Sequence, residues 1–188
     1  MQLVPIMRGW VMPFFPMRPR NGPRLTRRHI ERILQEQHDH VYVFQPKLNG
    51  HRVTLGIGPK GHMVVANRHG GWYQKPIRNL RDWAKFNDGT VFDGEVYDGN
   101  FYPFECLALE GRSHRPSTTE ERIILAMQMC RLAHVQWVYP TPTREWLRKL
   151  TGHLPKYEGL VRKVPNAPYS PLHSATTTSQ EWLKLKWW

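Results

Sequence analysis

Cysteine is nearly absent: Cys106 and Cys130 are the only two in 188 residues, too few and too isolated for a disulfide framework or a thiolate zinc site. Both read as small, buried apolar residues of a protein from a reducing, cytoplasmic compartment. No apolar run approaches the roughly 20 residues that a membrane helix needs, and no secretory signal is present, so no membrane partner is expected. The ten histidines show no metal-ligand spacing such as H-E-x-x-H. Internal repeats are missing too, which excludes a solenoid. Acidic residues are scarce beside basic ones, 15 against 27, giving a formal charge of +12. That excess implies a polyanionic partner. Nucleic acid fits it better than an anionic membrane surface, because no long basic amphipathic helix accompanies it.

Aromatic residues, by contrast, are plentiful. A 12% aromatic content with eight tryptophans argues against disorder, and the length suits one domain, taken as residues 1–188. Residues 1–25 form a basic, proline-rich arm. Its opening, "MQLVPIMRGWVMPFFPMRPRNGPR", has arginines and no acids, like a transit peptide, but its prolines spoil an amphipathic helix. The arm is therefore expected to be extended, packed on the domain or lying on a phosphate backbone.

Beyond the arm, "TRRHIERILQEQH" predicts a helix with Thr26 as N-cap and Ile30, Ile33 and Leu34 on one face. Strands follow in "VYVFQPK", "HRVTLGIG" and "HMVVANR", with a turn at Pro59 to Gly61. "IRNLRDWAKF" reads as a short helix, and "TVFDGEVYDGNFYPFECLAL" as a hairpin turned at Asp98-Gly99-Asn100. "TTEERIILAMQMCRLAHV" is a helix with Thr118 and Glu121 in capping-box spacing ahead of an apolar stripe. "TREWLRKL" is another, with Thr143 as N-cap and Gly152 just past its end. The chain returns to strand in "YEGLVRKV" and, after a Pro/Ser/Thr-rich loop from Pro165 to Ser179, in "EWLKLKWW". The class is α+β with antiparallel hairpins predominating.

"FQPKLNGHRV" sets Lys47 between a proline and an Asn49-Gly50 pair, a strong hairpin signal. Lys47 is then either a solvated corner residue or a nucleophile held at a strand end. Charges also fall inside other strands: Asp93 and Glu95, Glu158 and Lys163, Lys184 and Lys186. Each alone suits a solvated strand face. Lys184 and Lys186 are two apart, so they share a face with Trp182, and a phosphate between them would relieve their repulsion.

In this order and spacing, "KLNGHR", "ANRHG", "FDGEVY", "FECLALEG", "EGLVRK" and "WLKLK" resemble the motif series of the covalent nucleotidyltransferases, which include ATP-dependent DNA ligases, RNA ligases and mRNA capping enzymes. The resemblance runs from about Val41 to Lys186. The stretch "FYPFECLALEGRSHRPSTTEERIILA" and the long loop before "WLKLK" are similar to DNA ligases in particular. It implies two packed, mainly antiparallel sheets with flanking helices, an ATP-grasp-like ligase adenylation domain with its nucleotide cleft between the sheets. It further implies ATP and Mg2+ (or Mn2+) as cofactors and nicked double-stranded DNA as the partner of a monomer. RNA ligase, a GTP-loading capping enzyme and a nick-binding module without turnover are the alternatives.

The implied roles follow the motifs. Lys47 attacks the α-phosphorus of ATP, Arg52 and Arg68 contact sugar and phosphates, and Glu95 holds the ribose or, with Glu158, a metal ion. Phe104 stacks on adenine or is an ordinary core aromatic, and Lys184 and Lys186 grip the α-phosphate. Asp93 is structural; Trp187 and Trp188 stack on bases or close the core. A neutral Lys47 costs roughly 4 to 5 kcal/mol at pH 7 from a reference pKa near 10.4. Burial and the cations Arg52, Lys163, Lys184 and Lys186 are expected to lower that cost, and the same cations, Lys163 among the nucleotide-binding residues, to stabilise the charge on the phosphoryl group. Two departures stand out: Asn49 replaces the family's usual Asp, and no OB-fold domain follows the last lysine motif. The expectation is a minimal ligase that grips the nick with its arm and loops, or an OB-fold that is supplied by a separate chain or has been removed.

Overall fold

The computed structural model describes residues 5–7, 10–11, 16–150, 154–170 and 178–187. In chain order its elements are β1 (Pro5–Met7), β2 (Trp10–Val11), β3 (Pro19–Asn21), α1 (Ile30–His38), β4 (Val43–Leu48), β5 (His51–Ile57), β6 (Met63–Asn67), β7 (Thr90–Tyr97), β8 (Asn100–Leu109), β9 (Arg112–Ser113), α2 (Thr119–Leu132), α3 (Arg144–Leu150), β10 (Tyr157–Lys163) and β11 (Ser179–Lys186). Two sheets result: a four-stranded one ordered β3-β11-β10-β4 and a five-stranded one ordered β6-β5-β7-β8-β9. Every pairing in them is antiparallel except β3 on β11. Among the described residues β1 and β2 pair only with each other.

Three apolar clusters follow from this layering. Ile30, Ile33, Leu147 and Leu150 of α1 and α3 cover one face of the four-stranded sheet at Phe44, Leu160 and Leu185. Ala126, Met129 and Cys130 of α2 cover the five-stranded sheet at Phe92, Phe101 and Cys106, where Trp83 is fully buried with its ring 5.1 Å from that of Phe92. A third cluster, with Leu48, Phe104, Tyr139 and Trp182, fills the space between the sheets. Cys106 and Cys130 are both buried and free, and burial pushes both thiols up to about 12, so neither is a nucleophile near neutral pH.

Three expectations change. Asn49-Gly50 is not a hairpin turn, because β4 and β5 lie in different sheets and the pair carries the chain from one to the other. Asn49 donates its backbone N–H to the Lys156 carbonyl (3.0 Å), and a Cβ on Gly50 would collide with the Val96 carbonyl oxygen. Neither residue has positive φ; close approach, not turn chirality, is what demands the glycine. The segment 77–86 forms only a 3₁₀ turn over Leu80–Trp83. The Asn79 amide bonds both the N–H (2.7 Å) and the carbonyl (2.9 Å) of Phe101, tying the segment to the sheet instead of to a longer helix.

The helix α2 has the expected capping box at Thr118 and Glu121, but it buries Thr119 and Arg122 while Ile124 and Leu132 stay exposed. Trp187 is buried and closes the core; Trp188 lies outside the described residues, as do Gly152 and much of the Pro165–Ser179 loop. Part of the arm is outside them as well. From Met17 onward it packs on the domain, and Pro19–Asn21 become the edge strand of the four-stranded sheet.

Candidate active site

The facing surfaces of the two sheets enclose a cleft of about 340 Å³. Side chains reach it from the four-stranded sheet in register rows. Gly159 of β10 stands opposite Lys47 of β4 on one side and Lys186 of β11 on the other. Two residues on, Val161 stands opposite Gln45 and Lys184, and Lys163 opposite Trp182. A period of two thus puts Lys47, Lys184, Lys186, Lys163 and Trp182 on one face.

Strict alternation would turn Glu158 away from that face. It does not, because Tyr157 pairs with Leu48 and Gly159 with Lys47, leaving Glu158 as the extra residue of a β-bulge. The bulge needs Gly159, whose φ of +151° and contact with the Leu185 carbonyl leave no room for a Cβ. Glu158 swings into the cleft and accepts hydrogen bonds from Lys47 on one oxygen and from Lys186 (2.6 Å) on the other. A second bulge does the same on β8. Asp93 pairs with Glu105 and Gly94 with Pro103, so Phe104 is the extra residue there.

All nine residues singled out from the sequence line this cleft: Lys47, Arg52, Arg68, Glu95, Phe104, Glu158, Lys163, Lys184 and Lys186. Their surroundings differ. Burial lowers the Lys47 ammonium to about 8, helped by Lys186, Lys184 and Arg52 and opposed by Glu95. Glu95 accepts a hydrogen bond from the Gly50 backbone, and burial raises its carboxyl to about 7 against the pull of Lys47 and Arg52. The crossing at Asn49-Gly50 therefore serves both groups: it ends the strand of Lys47 and orients Glu95.

Arg52 is not free to follow a ligand. Asp93 holds its guanidinium through both carboxylate oxygens, Nε at 3.0 Å from Oδ1, while Phe104 and Trp182 flank it at 5.2 and 5.1 Å. Tyr169 donates its hydroxyl to the same carboxylate at 2.8 Å, so Asp93 is a structural anchor, fully buried. Phe104 forms part of the cleft wall, edge-on to Tyr139 and Trp182.

Lys163 departs from the expected role. Its ammonium is buried and bonded to Glu105 (2.5 Å), and it lies 3.9 Å from the Trp182 ring. Glu105 in turn accepts from Arg122 Nε at 2.7 Å, making a buried Arg–Glu–Lys triad behind the wall of Phe104 and Trp182. Sequence reading gave no role to Glu105, Arg122 and Tyr169, nor to Arg18, which lines the cleft from the arm, although the first two fall in the stretch similar to DNA ligases. A charged residue inside the strand run "FECLAL" and an arginine on the inward face of α2 were the only signals for the first two.

A hard divalent cation takes carboxylate and phosphate oxygens together. Glu95 fits that use, being a cleft carboxylate to which, among the described residues, no side-chain cation is bonded, whereas Glu158 is already shared by two lysines. Among the described residues no group of three or more acidic, His or Cys side chains could hold a metal unaided.

No family model matches the sequence, and no curated protein does either. Solved structures do. A mycobacterial DNA ligase D complexed with ATP and MES superposes with a TM-score of 0.64 at 17% identity, over 93% of this chain and 60% of that one. The ligase domain of M. tuberculosis LigD gives 0.63 at 18%, over 92% and 59%. The ATP-dependent DNA ligase of bacteriophage T7, in complex with ATP, gives 0.51 at 13%, over 92% and 68%. The chain thus spans about 60% of the length of the first two.

Proposed function

We infer that this chain, whose fold is that of the adenylation domain of ATP-dependent ligases, joins nucleic-acid strands through a covalent lysyl-AMP at Lys47 and acts on nicks in duplex DNA. One observation carries the reading: a lysine with a depressed pKa, hydrogen-bonded to a carboxylate, stands in a row of cations at the bottom of a nucleotide-sized cleft.

In the first step neutral Lys47 Nζ attacks the α-phosphorus of ATP. The N–P bond forms as the α–β P–O bond breaks, and pyrophosphate leaves with the electron pair. Glu158, which already accepts a hydrogen bond from Nζ, takes the proton that Nζ loses. Lys186 and Lys184 stabilise the charge that builds on the phosphoryl oxygens, and Phe104 lies against the base. A divalent cation held by Glu95 with phosphate oxygens would screen the triphosphate. In the second step an oxygen of the 5′-phosphate attacks the lysyl-AMP phosphorus, and Nζ leaves and recovers a proton. The 3′-hydroxyl then attacks the 5′-phosphate, AMP departs, and the hydroxyl proton passes to solvent.

Intact mass after incubation with ATP and magnesium tests the reading, followed by sealing assays on nicked DNA and on nicks with RNA on the 3′-hydroxyl side. One AMP added and DNA nicks sealed is the expected result. Sealing confined to RNA nicks would move the substrate to RNA; no adduct with any nucleoside triphosphate would leave a binding module.

The rate should follow the ionisation of Lys47. Below a pKa of about 8 the reactive neutral amine falls tenfold per pH unit, so kcat/KM for ATP rises with unit slope and levels above that pH. Lys184→Ala removes a cation that holds this pKa down, so the break should move to higher pH as well as the plateau falling. A break that stays in place would count against Lys184 as a charge felt by the nucleophile.

A further inference from the structure

Most cations of the cleft have an acidic partner. Lys47 and Lys186 share Glu158, Arg52 is held by Asp93 and Lys163 by Glu105. Among the described residues, Lys184 and Arg18 make no ion pair or side-chain hydrogen bond, and the Arg68 guanidinium meets only the ring of His69, at 3.0 Å. Three cations thus converge without an anion. The motif resemblance already gives Lys184 and Arg68 to phosphate; it says nothing of Arg18.

Arg18 is fixed in the cleft through its backbone. β3 runs parallel to β11 with Asn21 opposite Lys184, and the Ser179 N–H donates to the Arg18 carbonyl at 2.6 Å. Met17, fully buried, donates its N–H to the Tyr169 hydroxyl (3.1 Å), and that hydroxyl donates to Asp93, the residue that holds Arg52. The chain on both sides of Arg18 is pinned while its own side chain is partly buried and uncommitted. Burial and then Arg68 and Arg52 hold the Arg18 pKa below its ordinary value, and Arg18 acts in the same way on Lys184. Mutual repulsion of this kind is relieved by a bound anion.

Position along the cleft indicates which anion. In the sheet order β3-β11-β10-β4, Arg18 leads into β3 at one edge and Lys47 lies on β4 at the other, with Lys184 of β11 between them. Arg18 therefore stands beyond Lys184, toward the end of the cleft away from the nucleophile. In-line displacement sends pyrophosphate out opposite the attacking Nζ, and it brings the 5′-phosphate in opposite the departing Nζ. One phosphate position serves both steps.

We propose that Arg18, carried into the cleft by the arm strand, is a phosphate-binding residue of this chain that, with Arg68 and Lys184, holds the terminal phosphates of ATP in the first step and the 5′-phosphate of the nick in the second. This rests on the ligase reading above.

Titration of α,β-methylene-ATP and of AMP into wild type, Arg18→Ala, Arg18→Lys and Arg20→Ala tests the first half, and the rate of AMP transfer from preformed lysyl-AMP to nicked DNA tests the second. Arg20 lies on the same strand, is exposed and bonds Gln180, so its variant reports on the arm rather than the cleft. Arg18→Ala should bind the methylene analogue about tenfold or more weakly with AMP unchanged, the worth of one charge-assisted hydrogen bond. AMP transfer should slow by a similar factor. Arg18→Lys should recover most of both, and Arg20→Ala should match wild type. Equal loss for AMP and the analogue, or loss equally in Arg20→Ala, would mean a structural arm and overturn the proposal. A loss in only one of the two assays would overturn the shared position. A wild type that binds neither nucleotide would overturn the ligase reading itself, and a wild type that binds both while Arg18→Ala is unchanged would overturn the proposal alone.

Discussion

Lys47→Ala should form no AMP adduct and seal nicks on the order of 10⁴-fold or more slowly than wild type, since a covalent nucleophile has no substitute in the site. The neighbouring amines are poorly placed to replace it: Lys184 and Lys186 stand on β11, across β10 from the strand of Lys47, and Lys163 is bonded to Glu105. Lys47→Arg should fail equally, because a guanidinium stays protonated and presents no lone pair. The loss should be confined to AMP capture and release. A nick that already carries AMP on its 5′-phosphate needs no lysine nucleophile, so Lys47→Ala should still close it at a rate within about tenfold of wild type. Intact mass and gel-resolved sealing of plain and pre-adenylylated nicks measure both. An adduct on Lys47→Ala would move the nucleophile elsewhere, and failure on the pre-adenylylated nick would show that Lys47 also organises the later step.

The largest effect on stability is expected away from the chemistry. Glu105 is fully buried between Arg122 and Lys163, both also buried. Glu105→Ala leaves two cations in the interior without a counter-charge, which costs about 3 to 5 kcal/mol. Such a loss is a large fraction of the stability of a domain this size. Arg122 adds to the cost because it also bonds Thr119 (3.1 Å) and the Ala167 carbonyl (3.2 Å), tying α2 to the segment that follows β10. Urea denaturation of wild type and Glu105→Ala reads the difference. Replacing all three by apolar residues of similar volume should recover most of it, because no charge is then stranded. A single-variant loss below about 1 kcal/mol would mean that water reaches the triad. Lys163 touches Trp182, so nucleotide affinity should fall along with stability in the Glu105 variant.

How much of this was readable from residues alone depends on whether periodicity was obeyed. The β7–β8 hairpin, the capping box of α2 and the shared face of Lys184, Lys186 and Trp182 follow from local rules, and the structure has all three. Asn49-Gly50 shows where a local rule misled. The pair is a turn signal in any context, but a hairpin requires the flanking strands to pair, and here each strand finds better partners in a different sheet. Lys163 shows the same for charge. A lysine in a motif beside other lysines reads as a phosphate ligand, until a glutamate on β8, 58 residues away in sequence, claims it.

By itself the sequence determined the inventory and its order: an α+β chain with an excess of cations, a lysine at a strand end, carboxylates and lysines spaced by two on strands, and almost no cysteine chemistry. It could do so because side-chain type and a period of two are local properties. Only the tertiary structure decided which of those groups meet. Two bulges turn Glu158 and Phe104 into the cleft against the alternation of their strands, and the packing of the sheets lowers the Lys47 ammonium by taking it out of water. The arm completes the wall with Arg18 from a strand pairing that spans some 160 residues of chain. Bulges, burial and long-range pairing depend on what lies across the gap, and nothing along the chain at those positions encodes the neighbour.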